Sequence, residues 1–128
     1  MILLDTCVLF WLECAPSRLS SPARKWIRSA GSGVHASAIS AFELGLKIRD
    51  QQVQLPLPAG EWVREVCQRR GIRLLPVDAA IAGLSTELPP IHRDPCDRFL
   101  IATARLAGLQ LVTPDATIAK YPDIKVLW

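Results

Sequence analysis

The sequence predicts an α/β sandwich in which helices flank a central, mostly parallel sheet. Short, wholly apolar runs such as Ile2-Leu3-Leu4 and the stretch from Leu109 to Thr113 suit strands buried on both faces. Segments of helical length, opened by Ser, Asp or Pro and closed by Gly, stand between them. Strand and helix alternate along the chain, the order expected of a parallel sheet covered by helices. The chain has 128 residues, a single-domain length, and 1–128 reads as one domain large enough to bury a core.

Taken in order, Ile2 to Leu4 is the first strand and ends on Asp5-Thr6. Val8 to Leu12 is apolar again and starts a short helix. Ser20-Ser21-Pro22 is a strong helix start, and Ala23 to Ala30 continues until Gly31-Ser32-Gly33 stops it. Val34-His35-Ala36 is the second strand. Ser37 or Ser40 then caps a helix that carries Glu43 and ends near Arg49-Asp50. Pro56 and Pro58 break the chain before a helix from about Gly60 to Arg70, which Gly71 ends.

Ile72 to Val77 reads as a third strand, and Asp78 caps a helix to about Glu87. After Pro89-Pro90 comes the best-marked element of the chain. Asp94 is placed as its N-cap and Pro95 as its first helical residue, where a missing N–H costs nothing. This helix runs to Gly108. Leu109 to Thr113 is the fourth strand, finishing at Pro114-Asp115. Thr117 to Tyr121 makes one helical turn, and Lys125 to Trp128 a last short strand.

Composition narrows the class of protein. Half the residues are hydrophobic and 21% are charged, which marks a globular chain and excludes a disordered one. No apolar run approaches the roughly 18 residues of a membrane span. The start, Met1 through Asp5, has neither a basic region nor a cleavage site, so a cytoplasmic protein is expected. Cys7, Cys14, Cys67 and Cys96 form no C-x-x-C pair, and His35 and His92 lie outside any metal-finger spacing, so free thiols are expected and a zinc site is not. The net charge is +3, from 15 basic and 12 acidic residues. If four acids gather in one site, the remaining surface is strongly basic, as suits a polyanion held by its backbone.

Four acids do fall where such a site would form. Asp5 and Asp115 each stand just past the last apolar residue of a strand, on the rim where open parallel sheets bind ligands. Glu43 lies early in the helix after the second strand. Asp97 lies in the first turn of the helix before the fourth, on the face of Leu100, Ile101 and Ala104. A carboxylate on an inward face is costly unless paired or bound to a cation. Together the four suit Mg²⁺ or Mn²⁺, hard cations that prefer oxygen ligands.

Each acid also has an ordinary explanation. Asp5 and Asp115 suit turns, Glu43 completes an S-x-x-E capping box with Ser40 or pairs with Lys47, and Asp97 complements the helix dipole. None of these explains why all four share one edge. Thr6 and Thr113 are placed to hydrogen-bond the neighbouring carboxylates, and Lys47 to screen them. Arg93, Arg98 and Arg105 flank the central helix, facing solvent or meeting phosphates.

The ordered set Ile2-Leu3-Leu4-Asp5-Thr6, Ser37 to Glu43, His92 to Arg98, Ile101-Ala102-Thr103-Ala104 and Leu111 to Asp115 resembles a PIN domain. It is most similar to the VapC toxins of type II toxin–antitoxin systems. The likeness extends to Tyr121-Pro122 and to Leu127-Trp128. It implies a PIN-like three-layer sandwich and a Mg²⁺- or Mn²⁺-dependent endoribonuclease, inhibited by a cognate VapB antitoxin and usually a homodimer. Matched residue by residue, the family's acidic site falls on Asp5, Glu43, Asp97 and Asp115. Asp97 is preferred to Asp94 because the third acid stands just before the I-A-x-x-A run. Thr113 matches a hydroxyl position beside the last acid. Cys96 and Pro114 depart from the family's usual residues, and Pro114 bears on where Asp115 is placed.

On this reading Asp5 and Asp97 are the principal metal ligands, with Glu43 and Asp115 completing the pocket directly or through water. RNA would be cut to leave a 5′-phosphate and a 3′-hydroxyl. No histidine is expected to act as general base, so the metal would supply the hydroxide. A phosphatase with Asp5 as nucleophile wants a second acid two residues on, where Cys7 stands. A non-catalytic module whose acidic pocket binds a partner's arginine is the alternative from another class.

Overall fold

A computed structural model describes all 128 residues. Five strands, β1 (Ile2–Leu4), β2 (Val34–Ser37), β3 (Arg73–Leu75), β4 (Gln110–Val112) and β5 (Val126–Leu127), form one sheet in the order β3-β2-β1-β4-β5. Every pairing is parallel. Six helices surround it: α1 (Thr6–Cys14), α2 (Ser21–Ala30), α3 (Ile39–Arg49), α4 (Ala59–Arg70), α5 (Ala79–Glu87) and α6 (Pro95–Ala107). No helix is long and apolar enough to cross a membrane.

The strands are short, and alternation within them divides the interior in two. Ile2 and Leu4 of β1, with Val112 of β4, join a core built with α1, α2 and α4. Leu3 and Leu111, pointing the other way, join a second core with Ile81 of α5 and Leu100, Ile101 and Ala104 of α6. Both faces of the sheet are therefore covered, which is why its strands carry no polar alternation. This is the three-layer sandwich expected from the sequence.

Several boundaries follow local chemistry as expected. Ser20 Oγ accepts from the Ala23 amide at 3.0 Å and starts α2, and Asp78 does the same for Ile81 at 2.9 Å at the start of α5. Asp94 Oδ1 accepts from Cys96 N at 2.9 Å, with Pro95 first in α6. Gly108 closes α6 at φ +66°, a left-handed conformation that glycine adopts without strain.

Others differ. β3 is confined to Arg73–Leu75, well inside the expected 72–77, because it lies at the sheet edge with β2 as its one neighbour and Pro76 has no N–H to pair. Helix α1 begins at Thr6, since the Asp5 carbonyl already accepts from Leu9 N at 2.9 Å. In α3 the expected Ser40–Glu43 capping box does not form. Ser37 Oγ accepts from the Ile39 amide at 3.1 Å, so Ser40 lies inside the first turn, and its hydroxyl bonds Thr6 Oγ1 at 2.8 Å. Glu43 is thereby free of the helix end.

Strands β1, β2 and β3 step one way across the sheet, and β4 and β5 lie on the other side of β1. The winding thus reverses between β1 and β4. At that point the loops beyond the carboxyl ends part and leave a crevice. Asp5 follows β1 and Thr113 follows β4, so these two residues form its floor.

Candidate metal centre

Asp5 is anchored twice. Its amide donates to Val112 O at 3.0 Å, and its Oδ2 accepts from the hydroxyl of Thr113. That hydroxyl in turn accepts from the Asp115 amide at 3.1 Å, so Thr113 links the two strand-end aspartates. Asp5 is only 6% exposed. Burial pushes its carboxyl above the usual range, opposed by the Thr113 hydroxyl and the Thr6 amide, while Asp115 adds to the rise.

Glu43 comes from α3 and Asp97 from α6, two helices in contact with each other. One carboxylate oxygen from each of Asp5, Glu43 and Asp97 lies within 4.8 Å of the others. Glu43 Oε1 is buried and has no hydrogen-bond partner. Burial raises the Glu43 carboxyl, and the charges of Asp5 and Asp94 raise it further, against Thr6 and Lys47. Asp97 is pushed up to about 7, by burial first and then by Asp5 and Asp94. Burial first, and neighbouring carboxylates after it, thus raise all three acids.

Asp115 does not join that trio. It belongs to a second one, His92, Asp97 and Asp115, which shares only Asp97 with the first. The four expected acids therefore form two adjoining sets. Asp115 lies two residues beyond Thr113 in an Asx turn, with Oδ1 accepting from Thr117 N at 2.8 Å and Oδ2 within 2.8 Å of His92 Nε2. Burial alone would raise its carboxyl. The His92 hydrogen bond, the Thr117 amide, the His92 ring and the Ile118 amide together outweigh it and bring Asp115 below the usual range.

A histidine, His92, does reach the site, although none was expected to act there as general base. Its Nε2 lies 3.1 Å from Asp97 Oδ2 as well as 2.8 Å from Asp115. Sequence spacing alone does not disclose this, since His92 is in a turn and not on a periodic element. The usable signal is its place two residues before the Asp94 cap, which seats it beside the start of α6.

The supporting residues also separate. Thr113 bonds a carboxylate directly, whereas the Thr6 hydroxyl is engaged by Ser40 and touches the cluster through its amide and its nearness to Glu43. Lys47 makes no ion pair within 4 Å and lines a groove with Thr6, Cys7, Trp11, Arg18 and Leu44. Its charge is felt at Glu43. Arg98 is half-buried and spends its guanidinium on the chain itself. Its guanidinium donates to the carbonyls of Ser85, Leu88, Pro89 and His92. Arg105 pairs with Asp123 at 3.2 Å. All four cysteines are free. Near the acids, burial pushes the Cys96 thiol up to about 12 and Cys7 higher still, so neither is a thiolate ready to bind metal.

The donor set is all oxygen at Asp5, Glu43 and Asp97, with one buried oxygen left unpartnered and no basic side chain in ion-pair contact with Asp5 or Glu43. This fits a divalent metal ion, which removes the mutual repulsion and supplies the missing partner.

A parallel sheet wound in both directions, with an acidic crevice at its switch point, defines a doubly wound α/β domain built to hold a cation at its carboxyl edge. The chain belongs to the PIN domain family, whose sequence model matches residues 2–124. It is similar to Ribonuclease VapC22 of Mycobacterium tuberculosis, 31% identical over 130 residues that take in 99% of this chain and 98% of that one. Among solved structures it resembles VapBC2 from Rickettsia felis bound to a promoter DNA fragment, with a TM-score of 0.71 at 13% identity, covering 98% of this chain and 97% of the other. A toxin–antitoxin complex from Klebsiella pneumoniae gives a TM-score of 0.66 at 20% identity, covering 97% and 95%. FitAcB from Neisseria gonorrhoeae gives 0.63 at 24%, covering 98% and 96%. At these identities the structures speak for the fold.

Proposed function

We propose that this PIN domain is the toxin of a VapBC-type toxin–antitoxin pair, an endoribonuclease that depends on Mg²⁺ or Mn²⁺. The observation that carries the proposal is the Asp5–Glu43–Asp97 cluster with its unpartnered Glu43 oxygen. Asp5 and Asp97 would be the principal ligands. Glu43 would complete the set, and Asp115 would act from the adjoining position, directly or through water. A bound divalent cation would supply an acidified water and neutralise charge on the phosphoryl oxygens. The chain's own residues hold that arrangement: Thr113 fixes Asp5, and the Thr6–Ser40 pair joins α1 to α3 beneath Glu43.

The net reaction adds water across an RNA phosphodiester and leaves a 5′-phosphate and a 3′-hydroxyl. Lys47 and Arg18, in the groove beside the cluster, are the cations placed to meet the RNA backbone. The ribonuclease name of the 31%-identical relative and the toxin–antitoxin complexes among the structural neighbours support this reading. They also support a VapB-type antitoxin as partner. We further place the protein in the cytoplasm as a homodimer, one PIN domain per chain.

Purified protein should cleave structured RNA with Mn²⁺, and cleavage should stop with EDTA and with Asp97→Asn. Equal rates for Asp97→Asn and wild type would refute the proposal. A protein that binds Mn²⁺ and antitoxin yet cuts no RNA would be the non-catalytic module instead.

A further inference from the structure

His92 is held more firmly than a loop residue with no role requires. The turn from Leu88 to His92 is clamped by Arg98, whose guanidinium reaches Leu88 O at 2.8 Å, Pro89 O at 3.0 Å and His92 O at 3.0 Å. Tyr121 closes the clamp from the other side. Its hydroxyl donates to Pro89 O at 2.9 Å and accepts from the His92 amide at 2.9 Å, and the residue is 1% exposed. Neither Arg98 nor Tyr121 hydrogen-bonds the acids; both act on the turn.

The ring orientation is determined as well. Nδ1 accepts from the Asp94 amide at 3.1 Å, the same residue whose side chain caps α6. With its Nδ1 lone pair so engaged, the ring carries hydrogen on Nε2, the atom between Asp97 Oδ2 and Asp115 Oδ2. An Nε2–H donates and has no lone pair to offer a metal. We propose that His92 is a positioning residue whose Nε2–H, set by the Asp94 amide and the Arg98–Tyr121 clamp, donates to Asp115 and, from 3.1 Å away, braces the Asp97 carboxylate beside it at the cation site. It is on this geometry neither a metal ligand nor a general base. The inference rests on the metal-centre proposal above.

Partners that orient metal-binding carboxylates typically cost about 10- to 100-fold in metal affinity when removed. Titration calorimetry of the metal-free full chain with Mn²⁺, without RNA, reads this directly. His92→Ala should weaken binding by about that factor. His92→Gln, whose amide nitrogen reaches the place of Nε2, should restore most of it, whereas His92→Asn, whose amide reaches only the place of Nδ1, should not. Spin-echo spectra of bound Mn²⁺ should show no directly coordinated imidazole nitrogen.

Unchanged affinity in His92→Ala, equal loss in the Gln and Asn variants, or a coordinated nitrogen would each overturn the inference while leaving the metal centre intact. Wild-type protein that binds no Mn²⁺ would overturn the metal centre and this inference with it. Should His92→Ala fail to fold, the Gln and Asn pair decides.

Discussion

Replacing Asp97 by Asn should make the metal-free protein more stable while destroying its metal site. Asp97 shares its space with Asp5 and Glu43, and its carboxyl is pushed from 3.8 up to about 7. The charged form is therefore disfavoured in the fold by at most about 4 kcal/mol. Water at the mouth of the pocket screens this to about 1–2 kcal/mol. Because the folded state holds its proton more tightly than the unfolded chain, stability falls as pH rises from about 4 to about 7, then levels off. Asn has no charge to lose and keeps an oxygen that can accept from His92. Scanning calorimetry in EDTA at pH 8 should put the Asn variant roughly 3–8 °C above wild type. The advantage should shrink toward pH 4.5. Mn²⁺ at 100 times its dissociation constant should then raise wild type by about 2.7 kcal/mol and the variant hardly at all. A variant less stable than wild type at pH 8, or equally favoured at both pH values, would refute the repulsion argument.

Thr113→Val keeps the shape of the side chain but leaves the buried Asp5 Oδ2 without its donor, so urea denaturation should show a loss of about 2–3 kcal/mol, with Thr113→Ser close to wild type. Tyr121→Phe strips the His92 amide of its acceptor while Pro89 O keeps Arg98; a cost of about 1–3 kcal/mol is expected, with faster hydrogen exchange at His92 than at the α6 core. Lys47→Ala should raise the KM for RNA and flatten the salt dependence of binding by about one counterion, with little effect on thermal stability. An unchanged salt slope would remove Lys47 from the RNA path.

The order of strands and helices was legible because its markers are local. Asp94, Pro95 and Gly108 delimit α6 by their own backbone chemistry, whatever packs against it. The inward Asp97 was legible because a helix has a fixed period. Asp5 was placed by the rule that ligands gather beyond the carboxyl ends of parallel strands. Sequence reasoning fell short where a position depends on a turn. Asp115 was expected beside the other three acids, but the Asx turn to Thr117 points it at His92. His92 itself enters through a clamp made by Arg98 and Tyr121, residues 6 and 29 positions away. A long side chain such as Arg98 can face water or gather carbonyls, and only the folded loop between α5 and α6 decides which. Ser40 shows the same limit on a smaller scale: starting α3 at Ile39 and not just after Ser40 converts a cap into a buried partner for Thr6.

The bond between Thr113 and Asp5 joins residues 108 positions apart. Ribosomes deliver the first carboxylate of the centre long before its donor. Until β4 has paired with β1, Asp5 has neither its strand neighbour nor its hydroxyl. Loop closure over most of the chain length is required before Asp5 and Thr113 meet. For a protein proposed to cut RNA, the topology itself delays the activity until β4 and Thr113 have been made and have joined β1 and Asp5.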